Sequence, residues 1–156
     1  MTTWAIIPVK PLHDSKRRLA HLLVPQARAD LIMRFLDNLL MVLNETAGID
    51  RVLVVTSDPL VMELAEARGA ALLVESEAAG LNAAVSRGVD LVARLGATAV
   101  LILPADLPFT RVEDIERMLA PLAQRRFTSS DHRPQTTDHG SIMALTGDET
   151  EEGTNA

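Results

Sequence analysis

Ala99-Val100-Leu101-Ile102-Leu103-Pro104-Ala105-Asp106-Leu107-Pro108 is the stretch from which the rest of the chain can be read. Its first five residues are an uninterrupted apolar run, too short for a helix and suited to a strand covered on both faces. The run ends at a carboxylate, Asp106, in a backbone stiffened by prolines on either side. A buried strand leading at once into a polar loop is the basic unit of a layered α/β protein, where ligands gather outside the carboxyl ends of the strands.

Working outward, the same unit recurs. Gly80-Leu81-Asn82 opens a helix that runs to about Leu95 and stops at Gly96, and Ala71-Leu72-Leu73-Val74 is a strand before it. Arg51-Val52-Leu53-Val54-Val55-Thr56 is another buried-type strand, after which Asp58 is placed to cap a helix with Pro59 at its first position and Gly69 just past its end. From Pro25 to about Glu45, Leu31, Ile32, Phe35, Leu36, Leu39, Leu40 and Leu43 recur at three- and four-residue spacing, which predicts one broad apolar stripe on a helix. Trp4-Ala5-Ile6-Ile7-Pro8-Val9 is the first strand. Downstream, Thr110-Arg111-Val112-Glu113 has the form of a capping box at the start of a helix reaching about Leu122. Ser141 to Thr146 suits a fifth strand, while Ala123 to Gly140 lacks apolar periodicity and reads as a flexible or inserted segment. Strands alternating with helices at crossover spacing predict an α/β fold with a doubly wound, mostly parallel sheet between two helical layers.

Bulk composition narrows the chemistry. The chain has 156 residues, 47% of them hydrophobic, which suits one domain with a continuous core. Only 3% are aromatic, so the core is aliphatic and stacking platforms for nucleic acid are not expected. A formal net charge of −6 argues against a general polyanion binder, so any anion site is local. The absence of cysteine excludes disulfides, thiolate metal sites and cysteine nucleophiles. With no leader-like start and no apolar run of spanning length, the expectation is a soluble cytoplasmic protein without membrane or nucleic-acid partners.

Three loops after strands carry candidate chemistry. Lys10-Pro11-Leu12-His13-Asp14-Ser15-Lys16-Arg17-Arg18 holds four fixed cations in nine residues, enough to neutralise a triphosphate, although a solvated basic turn is the plainer alternative. It contains no glycine and is not a Walker loop. In Pro104-Ala105-Asp106-Leu107-Pro108, Asp106 is the best metal-ligand candidate, since Mg²⁺ is often held by one or two carboxylates plus phosphates and water; a turn or capping role is the alternative. In the loop from Glu77 to Ala84, Gly80 and Asn82 stand where backbone donors face an anion or a purine edge, and Asn82 reads first as a helix cap. His13, His21, His132 and His139 lack metal-ligand spacing, and Ser15, Ser57 and Ser141 lack a nucleophile-elbow context.

In this order, the motifs Ile7-Pro8-Val9-Lys10-Pro11-Leu12 with Ser15-Lys16-Arg17-Arg18-Leu19, then Gly80-Leu81-Asn82, Pro104-Ala105-Asp106-Leu107-Pro108 and Gly153-Thr154-Asn155-Ala156 resemble the 2-phospho-L-lactate and phosphoenolpyruvate guanylyltransferases of coenzyme F-420 biosynthesis. The resemblance implies a glycosyltransferase-A-like, Rossmann-like nucleotidyltransferase that joins GTP to a phosphorylated three-carbon acid and releases pyrophosphate. It implies a nucleotide along Pro8, Val9, Lys10, Leu12, Ser15 and Lys16, Gly80 and Asn82, and Pro104 and Ala105, with Lys10, Lys16 and Arg18 on its phosphates. Asp106 and, as a second acidic group, Asp148 are implied as Mg²⁺ ligands, and Thr154 and Asn155 as contacts to the acceptor. Family members continue beyond the Gly-Thr-Asn-Ala motif, so residues 1–156 read as one such domain without its C-terminal part. Two other readings stay open: a nucleotide-binding remnant without turnover, and a CTP- or ATP-using transferase of the same fold. A receiver-type signalling domain ranks last, because it needs an acidic cluster where Lys10 stands.

Overall fold

The computed structural model describes residues 1–12, 23–75, 80–124 and 144–146. Five strands, β1 (Thr3–Pro8), β2 (Arg51–Thr56), β3 (Ala71–Val74), β4 (Ala99–Ile102) and β5 (Ala144–Thr146), form one sheet in the order β3-β2-β1-β4-β5. Every pairing is parallel. Four helices connect them: α1 (Pro25–Glu45), α2 (Pro59–Ala67), α3 (Leu81–Arg94) and α4 (Val112–Gln124). No described helix is long and apolar enough to cross a membrane.

The two faces of the sheet are covered unequally. Alternation along β1 sends Ala5 and Ile7 into one core, with Ile32, Leu36, Leu39, Leu40 and Leu43 of α1, Val61 and Ala65 of α2 and Ile115 of α4. Trp4 and Ile6 enter the other core, against Ala84 and Val92 of α3. The central strand is buried along its whole length because it is covered on both sides. On the single-helix face, α3 turns a row of small residues, Ala84 and Gly88 with Val92, toward the sheet. A methyl group on Gly88 would lie 3.1 Å from Ile6 Cγ2 and 3.2 Å from Val55 Cγ2, so glycine is what lets the helix come this close.

The expected helix from Pro25 to Glu45 is found with those bounds, its apolar stripe buried and Leu31 and Phe35 half-buried at its margins. Asp58 caps α2, its Oδ1 accepting from Leu60 N at 3.0 Å, and Gly69 follows the helix at φ +75°. Local expectations failed at two helix starts. Asn82 is not a cap: the capping position is Gly80, and Asn82 lies exposed inside the first turn of α3. At α4 the capping box is shifted by one residue. Asp114 Oδ2 accepts from Arg111 N at 3.0 Å, while Thr110 Oγ1 turns back to Leu107 O at 3.5 Å. Asp114 and Glu113 are both acidic, and the tertiary tie of Thr110 O to Asn38 Nδ2 at 3.2 Å holds Thr110 outside the helix. Ala123 and Gln124, expected to open an irregular segment, complete α4 instead; the remainder of that expectation, from 125 to 140, lies outside the described residues. Of the fifth strand expected from Ser141 to Thr146, Ala144–Thr146 is found as β5, and 141–143 lie outside the described residues.

Candidate active site

Because the chain runs from β1 outward through β2 and β3 and then crosses back to β4, the topological switch point lies between β1 and β4. A crevice at the carboxyl ends of those two strands is the place where an open α/β sheet binds ligands. Ile6 pairs with Ile102. Lys10 and Asp106 each stand four residues beyond that pair, and both are exposed.

Each is held by buried neighbours. Val9 is 6% exposed and donates its N–H to Val55 O at 2.9 Å, extending the β1–β2 ladder past the strand. Leu12 packs into the core beneath α1 and α2, and its N–H donates to Asp58 Oδ2 at 2.9 Å. The Asp58 carboxylate thus serves two backbones, the α2 N-terminus through Oδ1 and the loop after β1 through Oδ2. Asp58 N itself donates to the buried Thr56 Oγ1 at 3.1 Å, which fixes the carboxylate's own backbone. Lys10 therefore projects from a short loop clamped on both sides. On β4, Leu103 N donates to Ile6 O at 3.0 Å, and Leu103 and Ala105 are buried on either side of the exposed Pro104. Asp106 follows with the same alternation. Phe109, a residue 88% exposed, closes this loop at φ +57°; a non-glycine residue in that region stores strain of the kind that gathers near functional loops.

The third loop meets the same edge through α3. Gly80 adopts φ +91° before the helix, which starts without a side-chain cap. Of the residues singled out from the sequence, the fold gathers Pro8, Val9, Lys10, Leu12, Pro104, Ala105 and Asp106 at the switch point, with Gly80 and Asn82 on the neighbouring helix start. Leu12 takes part as a buried anchor whose N–H is committed to Asp58. Ser15, Lys16, Arg18, Asp148, Thr154 and Asn155 lie outside the described residues. Among the described residues no group of three His, Cys, Asp or Glu side chains is arranged for a metal ion. Asp106 is a hard oxygen donor at the strand tip, which fits Mg²⁺ sharing its ligand sphere with phosphate oxygens and water.

Two residues at this edge were not singled out. Arg28, in the first turns of α1, is only 8% exposed, and its Nε and Nη1 have no hydrogen-bond partner. Its sequence signal was present: Arg28 stands one four-residue step before Ile32 on the apolar stripe, so the period itself places it inward. Glu75 is the first residue after β3, and its Oε1 is likewise buried without a hydrogen-bond partner. Inspecting the residue immediately after each strand, rather than the glycine further on, would have found it.

The chain is similar to known proteins over most of its length. Residues 3–126 match the family model described as guanylyl transferase CofC like. The phosphoenolpyruvate guanylyltransferase of Sphaerobacter thermophilus is 38% identical over 144 residues, covering 92% of this chain and 68% of that protein. The proteins of the same name from Conexibacter woesei and Rubrobacter xylanophilus are 37% and 36% identical, over 99% and 100% of this chain and 63% and 68% of their own lengths. The chain thus spans about two thirds of these relatives. Among solved structures, CMP:2-keto-3-deoxy-manno-octonic acid synthetase in complex with CTP superposes with a TM-score of 0.54 at 19% identity, over 81% of this chain and 49% of that one. A Desulfovibrio desulfuricans G20 protein designated a nucleotide-diphospho-sugar transferase does so with a TM-score of 0.62 at 17% identity, over 79% and 55%. At such identities these two matches speak for the fold alone, and they agree with the Rossmann-like three-layer architecture.

Proposed function

We propose, because this chain belongs to the family of CofC-like guanylyl transferases, that it transfers the guanylyl group of GTP to a phosphorylated three-carbon acid and releases pyrophosphate. The acceptor that the names of its relatives support is phosphoenolpyruvate, with 2-phospho-L-lactate the alternative, and the product class belongs to coenzyme F-420 biosynthesis in the cytoplasm. The observation that carries the reading is the placement of Lys10 and Asp106 at equal steps beyond the Ile6–Ile102 pair, on the two strands that flank the switch point.

In this reading an oxygen of the acceptor phosphate forms a bond to the α-phosphorus of GTP, the bond from that phosphorus to the αβ-bridging oxygen breaks, and pyrophosphate leaves with the electron pair. The acceptor is already ionised at neutral pH, so no protein nucleophile or general base is required. Lys10, with Lys16 and Arg18, neutralises the triphosphate and the charge that builds on the leaving pyrophosphate. Arg28 adds a desolvated guanidinium whose unpaired Nε and Nη1 are suited to a phosphate oxygen. Asp106, with Asp148, would hold Mg²⁺, which supplies Lewis-acid stabilisation of phosphoryl oxygens when bound. In the same reading Gly80 and Asn82 would contact the nucleoside, and Thr154 and Asn155 the acceptor.

The test is pyrophosphate release measured with GTP, Mg²⁺ and each acceptor in turn. Release that requires all three is expected. Saturable GTP binding without release would assign the chain to nucleotide binding alone, and equal or better turnover with CTP or ATP would transfer it to another nucleotidyltransferase of the same fold.

A further inference from the structure

Glu75 sits at the tip of β3, two strands away from the switch point. Its backbone is fixed, since Glu75 N donates to Thr56 O at 2.9 Å and so continues the β2–β3 ladder. Its side chain is 10% exposed. The cation facing it is Arg87, whose Nη1 stands 3.7 Å from Oε1, close enough to balance charge but beyond hydrogen-bond distance, and whose own side chain is 46% exposed. Oε1 is left buried without a donor. A carboxylate oxygen in that condition is costly, and folded proteins complete such groups with protein, ordered water or a ligand.

The surroundings say which ligand. Gly88 of α3 packs at the level of Val55, and α3 runs back along the sheet from its start at Gly80, so that start reaches roughly 10 Å beyond the strand tips. Glu75 lies beside the foot of that projecting segment, held there by the Arg87 contact. The tip of β1, which the proposed function assigns to phosphate through Lys10, is two strand spacings away, again about 10 Å. A nucleotide with its phosphates at the switch point reaches β3 with its base.

We propose that Glu75 reads guanine, its carboxylate accepting from the ring N1–H and the exocyclic amino group. This rests on the reading of the site as one for GTP. A carboxylate offers two acceptors side by side, and guanine is the common base that offers two donors side by side on its pairing edge. Adenine and cytosine each present an unprotonated ring nitrogen there, which a carboxylate repels. The base preference thus follows from one buried group that mismatched bases leave unpaired.

Equilibrium binding of GTP, ITP, XTP and ATP to the full chain, and to Glu75→Gln, tests this. The wild-type protein should bind ITP, which lacks the exocyclic amino group, roughly tenfold more weakly than GTP, and ATP at least about a hundredfold more weakly. Glu75→Gln should lose about thirtyfold or more for GTP and gain for XTP, because the Gln amide donates to the second carbonyl of xanthine. A folded Glu75→Gln variant with the wild-type GTP to XTP ratio overturns the assignment while leaving the GTP reading intact. Equal wild-type affinity for GTP and ITP overturns it without any variant, and wild-type protein that does not bind GTP removes both readings together.

Discussion

The two ends of the sheet are built to different standards. At the amino end, side chains close the backbone. Thr3 N donates to Asp50 Oδ2 at 2.6 Å while Asp50 N donates to Thr3 O at 2.9 Å, and Thr2 and Thr98 exchange a similar pair at 2.8 Å each way. Arg68, at the end of α2, makes a bidentate pair with Asp37 of α1 at 2.7 and 3.0 Å, whose hydrogen bonds and charge push the guanidinium further above its usual pKa, and Asn44 Nδ2 donates to Arg68 O at 2.9 Å. The exception is the indole nitrogen of Trp4, buried without a partner beneath the Arg51 guanidinium, 5.6 Å from the ring centre. At the carboxyl end, Arg28 and Glu75 are buried with nitrogen or oxygen atoms unpaired, Lys10 and Asp106 are presented outward, and Phe109 holds a positive φ. Among the described residues the amino end closes on paired side chains, whereas the unpaired guanidinium and carboxylate atoms of Arg28 and Glu75 lie at the carboxyl end, the edge where an open α/β sheet binds ligands.

That contrast can be broken by substitutions on either side. The largest effect is expected from Asp106→Asn, which should lower pyrophosphate release by about a hundredfold or more with the melting temperature unchanged; undiminished turnover removes the metal role from this residue. Next, Asp58→Ala strips the cap of α2 and leaves Leu12 N without its acceptor, a combined loss of about 2 kcal/mol in denaturant unfolding, accompanied by weaker GTP binding as the Lys10 loop loosens. A loss of stability with full affinity would show that the clamp serves the fold alone. Arg28→Met should weaken GTP by about tenfold while leaving stability equal or improved, because an unpaired buried charge is replaced by an apolar side chain of similar reach. Marked destabilisation with unchanged affinity would move Arg28 to the structural side of the comparison. The smallest effect is expected at the amino end, where Asp50→Ala should cost about 1 kcal/mol of stability and leave nucleotide affinity as it was.

What was legible in the chain divides along the same physical line. The ends of α1 could be read from period and proline, and the cap of α2 from Asp58 before Pro59, because these are decided within a few residues. The cap expected at Asn82 failed since Gly80 already occupies that position, and the Thr110 box failed since a tertiary bond to Asn38 drew Thr110 away. Lys10 and Asp106 were legible as residues after buried strands. The inward place of Arg28 on the stripe and of Glu75 after β3 could be read too, but not that their polar atoms go unpaired, because a charged residue looks the same in sequence whether its partner is present or missing.

Asp58 contains the whole distinction. Its bond to Leu60 spans two residues, and the sequence alone determined it, as it determined the alternation of strands and helices and the loops that follow each strand. Its bond to Leu12 spans 46 residues and exists only because β1 and β2 lie side by side. The same holds for the order β3-β2-β1-β4-β5, for three of the described helices on one face against one on the other, and for the placing of Lys10 and Asp106 after the two strands that flank the switch point. Local propensity acts over one turn of chain, whereas strand order and the burial of a charge are settled only when all the layers close together.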